Sequence, residues 1–101
     1  MRRAKRDGNH TAIVRALLDA GRSVQDLSAV GGGCPDLLVG FAGRCVLLEI
    51  KCSRKEGGSD RVSANQVLWH RAWRGTPVVV VRSVAEALEA TGITGVQGRT
   101  G

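Results

Sequence analysis

Tyrosine is absent from this 101-residue chain, and Phe41, Trp69 and Trp73 are its only aromatic residues. So few ring faces argue against a single-strand binder that stacks unpaired bases on aromatic platforms. Long hydrophobic runs are missing too. No purely apolar stretch is longer than Val78–Val81, whereas a membrane-spanning helix needs ~20 apolar residues. The opening residues Met1-Arg2-Arg3-Ala4-Lys5-Arg6 are basic but lead into no apolar segment, so no signal region is read there. Cysteine is sparse and odd in number: Cys34, Cys45 and Cys52 show no CxxC or CxxH spacing, and His10 and His70 lie far from each other in sequence. This disfavours a zinc site and reads as reduced thiols in a cytoplasmic protein. Acidic residues are outnumbered, with 9 Asp plus Glu against 15 Lys plus Arg, for a formal charge of +6. A small, strongly basic domain usually meets a polyanion, most often nucleic acid.

What is present reads as one globular domain, with 43% hydrophobic residues. Residues 1–8 form a basic arm, the domain runs over 9–92, and 93–101 is a flexible tail. Asn9 is placed to cap a helix over about 10–20, whose apolar positions include Ile13 and Leu17, with Gly21 as its stop. A short strand follows within 22–28. Gly31-Gly32-Gly33 is a loop without the downstream GK[ST] of a phosphate-binding P-loop. Residues 36–41 and 45–52 predict two strands joined at Ala42-Gly43, apolar on both faces and so covered on both sides. The polar stretch 53–61 predicts an exposed loop. Ser63-Ala64-Asn65-Gln66 is a capping box opening a helix to about Arg74. Val78–Val81 predicts a buried strand. Ser83-Val84-Ala85-Glu86 is a second capping box, opening a last helix that ends near Ala90 before Gly92. The fold class is therefore α/β, with a mixed central sheet of about four strands flanked by helices.

The charges inside apolar strands carry the chemistry. A two-residue turn at Ala42-Gly43 puts Phe41 opposite Arg44 and, five steps further, Asp36 opposite Glu49. Lys51 shares their face, because side chains alternate along a strand. Two carboxylates and an ammonium thus converge at one end of the sheet. Paired carboxylates repel unless a cation joins them, and Mg²⁺ or Mn²⁺ suits carboxylate oxygens. The backbone carbonyl of Ile50 is a further oxygen ligand within reach. Such an ion polarises a phosphate and lowers the pKa of water, and Lys51 beside it steers water or stabilises charge. A second interpretation stands beside this one: Lys51 forms an ion pair with Asp36 or Glu49 and nothing more.

These residues resemble a known family. Pro35-Asp36 followed by Glu49-Ile50-Lys51 is similar to the PD-(D/E)xK nuclease signature. Gly33-Cys34-Pro35-Asp36-Leu37-Leu38-Val39, Leu48-Glu49-Ile50-Lys51 and Ser63-Ala64-Asn65-Gln66, with Gly75 before a valine strand, look like its VRR-NUC branch. The resemblance spans roughly residues 9 to 90. It implies a restriction-endonuclease-like core and divalent-metal-dependent DNA cleavage in a bacterial or phage-infected cell. Asp36 and Glu49 would hold Mg²⁺ or Mn²⁺, Lys51 would serve the attacking water, and Gln66 would stand beside them. Small stand-alone members imply a homodimer acting on branched DNA such as four-way (Holliday) junctions. One departure is clear. The family commonly has a glutamate on the first helix, where this chain has Ala12, and no acid lies between Asp7 and Asp19.

Further expectations concern the surface. Arg2, Arg3, Lys5 and Arg6 on the arm, and Arg54, Lys55 and Arg61 on the loop, are candidate DNA phosphate contacts or simply solvated charges. Trp69 and Trp73 share a helix face and read as core or dimer-interface residues. His70 reads as an exposed helix residue. A DNA-binding module with a decayed site and an RNA-directed nuclease remain alternative readings.

Overall fold

The hairpin at the centre of the chain sets the register of everything around it. In the computed structural model, which describes residues 8–51 and 62–93, Ala42 and Gly43 both take positive φ, 49° and 76°. That is the backbone of a two-residue turn whose twist matches the flanking strands. Phe41 pairs with Arg44 as the sequence predicts, and the ladder runs back to Leu37 opposite Leu48.

The elements are α1 (Gly8–Asp19), β1 (Ser23–Asp26), β2 (Leu37–Phe41), β3 (Arg44–Ile50), α2 (Ala64–Ala72), β4 (Val78–Val81) and α3 (Val84–Ala90). The strands form one mixed sheet in the order β1-β2-β3-β4. The first three are antiparallel to their neighbours, whereas β3 and β4 run parallel. Parallel neighbours need a crossover connection, and α2 lies in it. The α/β class and the four-stranded mixed sheet are as expected. Among the described residues, no helix is long and apolar enough to cross a membrane.

One face of the sheet carries the core. Leu37, Val39, Val46, Leu48, Ile50 and Val81 pack there with Ile13 and Leu17 of α1 and Ala87 of α3. Ile13 and Leu17 are one turn apart, so both point the same way from α1. The other face departs from the sequence reading. Strands β2 and β3 are not covered on both sides: Leu38 is half-buried and Cys45 exposed. The nine-residue α2 is the helix on that side, and it buries none of its own residues. Cover is therefore concentrated at the end of β3, where Leu47 is 4% and Glu49 1% exposed.

The helix ends also correct the sequence reading in two places. Asn9 is not the cap of α1 but lies inside it. Its side-chain amide donates to the carbonyls of Lys51 and Arg82, each at 3.2 Å. Two acceptors at the frayed ends of β3 and β4 outcompete the local cap. In α3, the Ser83 hydroxyl accepts from Glu86 N as a cap should, but the Glu86 carboxylate accepts from Arg82 N (2.7 Å). The Ser63–Gln66 capping box of α2 is complete.

Candidate active site

Alternation along β3 builds the site. Leu48 and Ile50 enter the core, so Glu49 and Lys51 stand on the opposite face at the strand's end. Asp36 precedes β2 and is held through its backbone. Its N–H donates to Leu48 O (3.0 Å), and its carbonyl accepts from Leu27 N (2.7 Å). Its Oδ2 accepts the Ile50 N–H at 2.7 Å. The ladder thus stops at Leu37–Leu48, and Asp36 is not the regular cross-strand partner of Glu49 that the sequence suggested. Its carboxylate takes a main-chain donor that the strand end leaves free. The two carboxyl groups still converge, since Asp36 acts on Glu49 by charge and by a hydrogen bond.

Burial raises the Glu49 pKa most, and the Asp36 charge and hydrogen bond add to it. Lys51 and Gln66 oppose them, and the net effect lifts Glu49 to about 8. Without a cation, then, Glu49 is mostly protonated at neutral pH. The proton relieves first the cost of burying a charge and then the repulsion expected of paired acids.

Gln66 ties the cluster together. Its Nε2 donates to Glu49 Oε2 at 2.6 Å. Its Oε1 accepts from Lys51 Nζ (3.0 Å) and from the Ser63 N–H (2.8 Å). The Ser63 hydroxyl in turn accepts from Gln66 N at 3.2 Å. The same glutamine amide therefore caps α2 and bridges the acid and the lysine. Lys51 Nζ also lies 3.9 Å from Glu49 Oε2.

Asp36, Glu49, Lys51 and Gln66 are thus brought together. Ile50 joins through its N–H. Arg2, Arg3, Lys5 and Arg6, and likewise Arg54, Lys55 and Arg61, lie outside the described residues. His70 corrects the sequence reading. It is not an exposed helix residue: its side chain is 21% exposed and its Nε2 faces Glu49 Oε1 at 3.7 Å. The signal was its one-turn spacing from Gln66 on α2, which puts both on one helix face. Its pKa is lowered by burial and then by the Lys51 charge. His10 is committed elsewhere, with Nε2 3.2 Å from Asp26 Oδ2. The Cys34 thiol is pushed up by burial and then by the charges of Glu49 and Asp36, which lowers its thiolate fraction. Trp69 and Trp73 are not core residues. Their rings stack on each other at 4.8 Å, and Trp73 is 42% exposed.

The glycine loop has a role that its sequence alone did not reveal. Gly33 has φ +90°, and a Cβ there would lie 2.4 Å from the Asn65 carbonyl oxygen. The loop presses on the first turn of α2, next to Gln66. Gly33→Ala should therefore strain the backbone and push α2 outward, costing about 1–3 kcal/mol. A lowered urea midpoint is expected, and an unchanged one would count against this close packing.

A divalent cation fits the donor set in a limited way. Among the described residues, no group of three or more His, Cys, Asp and Glu is arranged to hold a metal ion. Magnesium-type sites do not require one, because one or two carboxylates plus water and phosphate oxygens suffice. The telling observation is that Glu49 Oε1 is buried and receives no N–H or O–H donor from the protein, which leaves it either a proton shared with Asp36 or a cation. Buried acceptors are rarely left so. Compared with protein families, with curated proteins and with solved structures, the chain finds no match in any of the three.

Proposed function

We propose that this chain is a divalent-metal-dependent endodeoxyribonuclease of the VRR-NUC branch of the PD-(D/E)xK nucleases, with a restriction-endonuclease-like core. The observation that supports this most is the hydrogen-bonded cluster of Asp36, Glu49, Lys51 and Gln66 at the strand end, in the order the family motif requires. Two carboxyl groups held together in a buried cluster, one of them keeping its proton, are found at functional sites more often than in structural ion pairs. In this reading Asp36 and Glu49, with the Ile50 carbonyl, hold Mg²⁺ or Mn²⁺. When bound, the ion supplies Lewis acidity toward a phosphodiester and toward water. Lys51 orients the water and offsets the negative charge that gathers on the phosphate. Gln66 keeps Lys51 and Glu49 at a constant separation. Hydrolysis joins the water oxygen to phosphorus and breaks the phosphorus–oxygen bond to the sugar, and the departing oxygen takes a proton.

The +6 charge suits a polyanionic substrate. Arg2, Arg3, Lys5, Arg6, Arg54, Lys55 and Arg61 are the phosphate contacts this reading requires. Branched DNA such as a four-way junction is the preferred form, and a homodimer presents two sites to its two strands. Helix α2 and its C-cap support the dimer: Leu68 is 63%, Val67 40% and the cap residue Trp73 42% exposed, apolar side chains open to solvent. The reducing cytoplasm of a bacterial or phage-infected cell is the implied compartment.

A second reading, a DNA-binding module with a decayed or weakened site, is favoured by one observation. Helix α1 sends an amide, Asn9, toward the site, and Ala12 is exposed. One assay separates the readings. Labelled four-way junction, matched duplex and matched RNA are incubated with Mg²⁺, Mn²⁺ or EDTA, beside Asp36→Asn. We expect junction cutting that needs metal and falls at least a hundredfold in the variant. Salt-sensitive binding without cutting would establish the second reading, and preferential RNA cleavage would redirect the first.

A further inference from the structure

We infer that Asn9 is a positioning residue for the cleavage reaction: its amide reaches from α1 and holds the main chain of Lys51, so that the ammonium stays beside the acid pair. This rests on the reading of Lys51 as the group that serves the attacking water, and extends it to a residue outside the motif.

The ends of the parallel strands create the need for such a residue. The last bond between β3 and β4 runs from Lys51 N to Val81 O at 3.0 Å. One residue on, the Arg82 N–H donates to the Glu86 carboxylate instead (2.7 Å). Past that point the strands no longer answer each other, and a side chain takes over. Asn9 Nδ2 donates to Lys51 O and to Arg82 O, each at 3.2 Å. A primary amide carries two N–H donors, one for each carbonyl. Only the nitrogen end of the amide can face two carbonyl oxygens, so the acceptors fix which way it is turned.

Lys51 is thereby held at three points from three elements. Its N–H is bonded to β4, its carbonyl to α1, and its Nζ to Gln66 Oε1 of α2 at 3.0 Å. Holding both main-chain groups sets the direction in which the side chain leaves the strand, on the Glu49 face. Lysine carries its charge on a flexible four-carbon stem, so an ammonium on a loose main chain would wander from the acids. Reaction rates are sensitive to this: a misplacement of about 1 Å can cost on the order of a hundredfold.

The residue type fits this task. Asparagine is a modest helix former, yet Asn9 lies inside α1 and half-buried. The two carbonyls give it a reason to be there. Aspartate has the same shape but only accepts, so it would oppose both oxygens. The neighbours of Asn9 on the helix are engaged elsewhere. His10 bonds to Asp26 of β1, and Ile13 and Leu17 enter the core. Helix α1 thus reaches Lys51 through Asn9.

The test is single-turnover cleavage of the four-way junction, with Mg²⁺ or Mn²⁺, by the full chain. It compares wild type, Asn9→Ala, Asn9→Asp, Lys51→Met and the double variant Asn9→Ala/Lys51→Met. Ile13→Val is the control, since it loosens the packing of α1 without touching Lys51. Both Asn9 variants should slow the chemical step by about tenfold to a hundredfold, with the half-saturating junction concentration little changed. In the Lys51→Met background Asn9→Ala should cause no further loss, because it acts through the lysine. Ile13→Val should lower the urea midpoint and leave the rate alone. A second measurement does not depend on rates. The chain has three lysines, so in ¹³C-lysine-labelled protein the Lys51 side-chain signal is the one that Lys51→Met removes and Lys5 and Lys55 retain. That signal should shift in Asn9→Ala and hold still in Ile13→Val. An undiminished rate in Asn9→Ala, equal losses in both backgrounds, the same slowing in Ile13→Val, or an unshifted Lys51 signal overturns the proposal and leaves the nuclease reading standing. A wild type that cuts nothing with either metal overturns both.

Discussion

Glu49→Gln is expected to abolish cleavage and, at the same time, to make the metal-free protein harder to unfold at alkaline pH. The two effects have one cause. In the unfolded chain the Glu49 carboxyl titrates near its ordinary value of 4.5, whereas in the fold it titrates at about 8. The folded protein therefore holds this proton more tightly. The stability it confers is fully present below pH 4.5, declines as pH rises between 4.5 and 8, and is lost above that. Each pKa unit corresponds to about 1.4 kcal/mol, so the loss amounts to a few kcal/mol. That is a large share of the roughly 5–15 kcal/mol that holds a domain together. Glutamine keeps the shape and never ionises. Urea unfolding at pH 5.5 and pH 9 should show a small lead of the variant over the wild type at the lower pH and a much larger one at the higher. Cleavage should fall a thousandfold or more, since the buried carboxylate has no substitute at this position. Saturating Mg²⁺ or Mn²⁺ should reverse the wild-type loss at pH 9, by about 2.7 kcal/mol at a hundred times the dissociation constant. A wild type that gains stability from pH 5.5 to pH 9 without metal would contradict the burial of this acid.

Lys51→Met should reduce cleavage by about 10²–10⁴, the range for a group that moves a proton or offsets transition-state charge. Its side effect distinguishes it from a general loss of structure. Lys51 lowers the pKa of Glu49, so its removal lets that pKa rise further. The pH at which metal begins to bind should shift upward with it. The Gln66 oxygen keeps the Ser63 N–H at 2.8 Å, so the capping box and α2 should survive. Far-UV circular dichroism close to wild type, with cleavage lost and metal binding displaced to higher pH, is the expected set. Full activity in Lys51→Met would remove the lysine from the site.

Much of this was legible in local pattern. Ala42-Gly43 between two apolar runs specifies a hairpin, and the hairpin specifies the register that carries Glu49 and Lys51 to one face. The Ser63–Gln66 box marks the start of α2 and happens to contain a site residue. Where the reading erred, a distant partner outcompeted a local one. Asn9 has the residue type of a helix cap, but the carbonyls of Lys51 and Arg82 take its amide. Asp36 has the spacing of a ladder pair, but the Ile50 N–H draws its carboxylate aside.

The sequence by itself determined the α/β class, the strand that bears the charges, and the set Asp36, Glu49, Lys51 and Gln66. These follow from periods of two and 3.6 and from turn chemistry, which depend on neighbours in the chain. Only the tertiary structure decided that α2 docks through Gln66 and against Gly33, that His70 faces Glu49, and that Glu49 is buried enough to keep its proton. Those outcomes depend on which surfaces meet after the chain has crossed over the sheet, and no local period encodes that meeting.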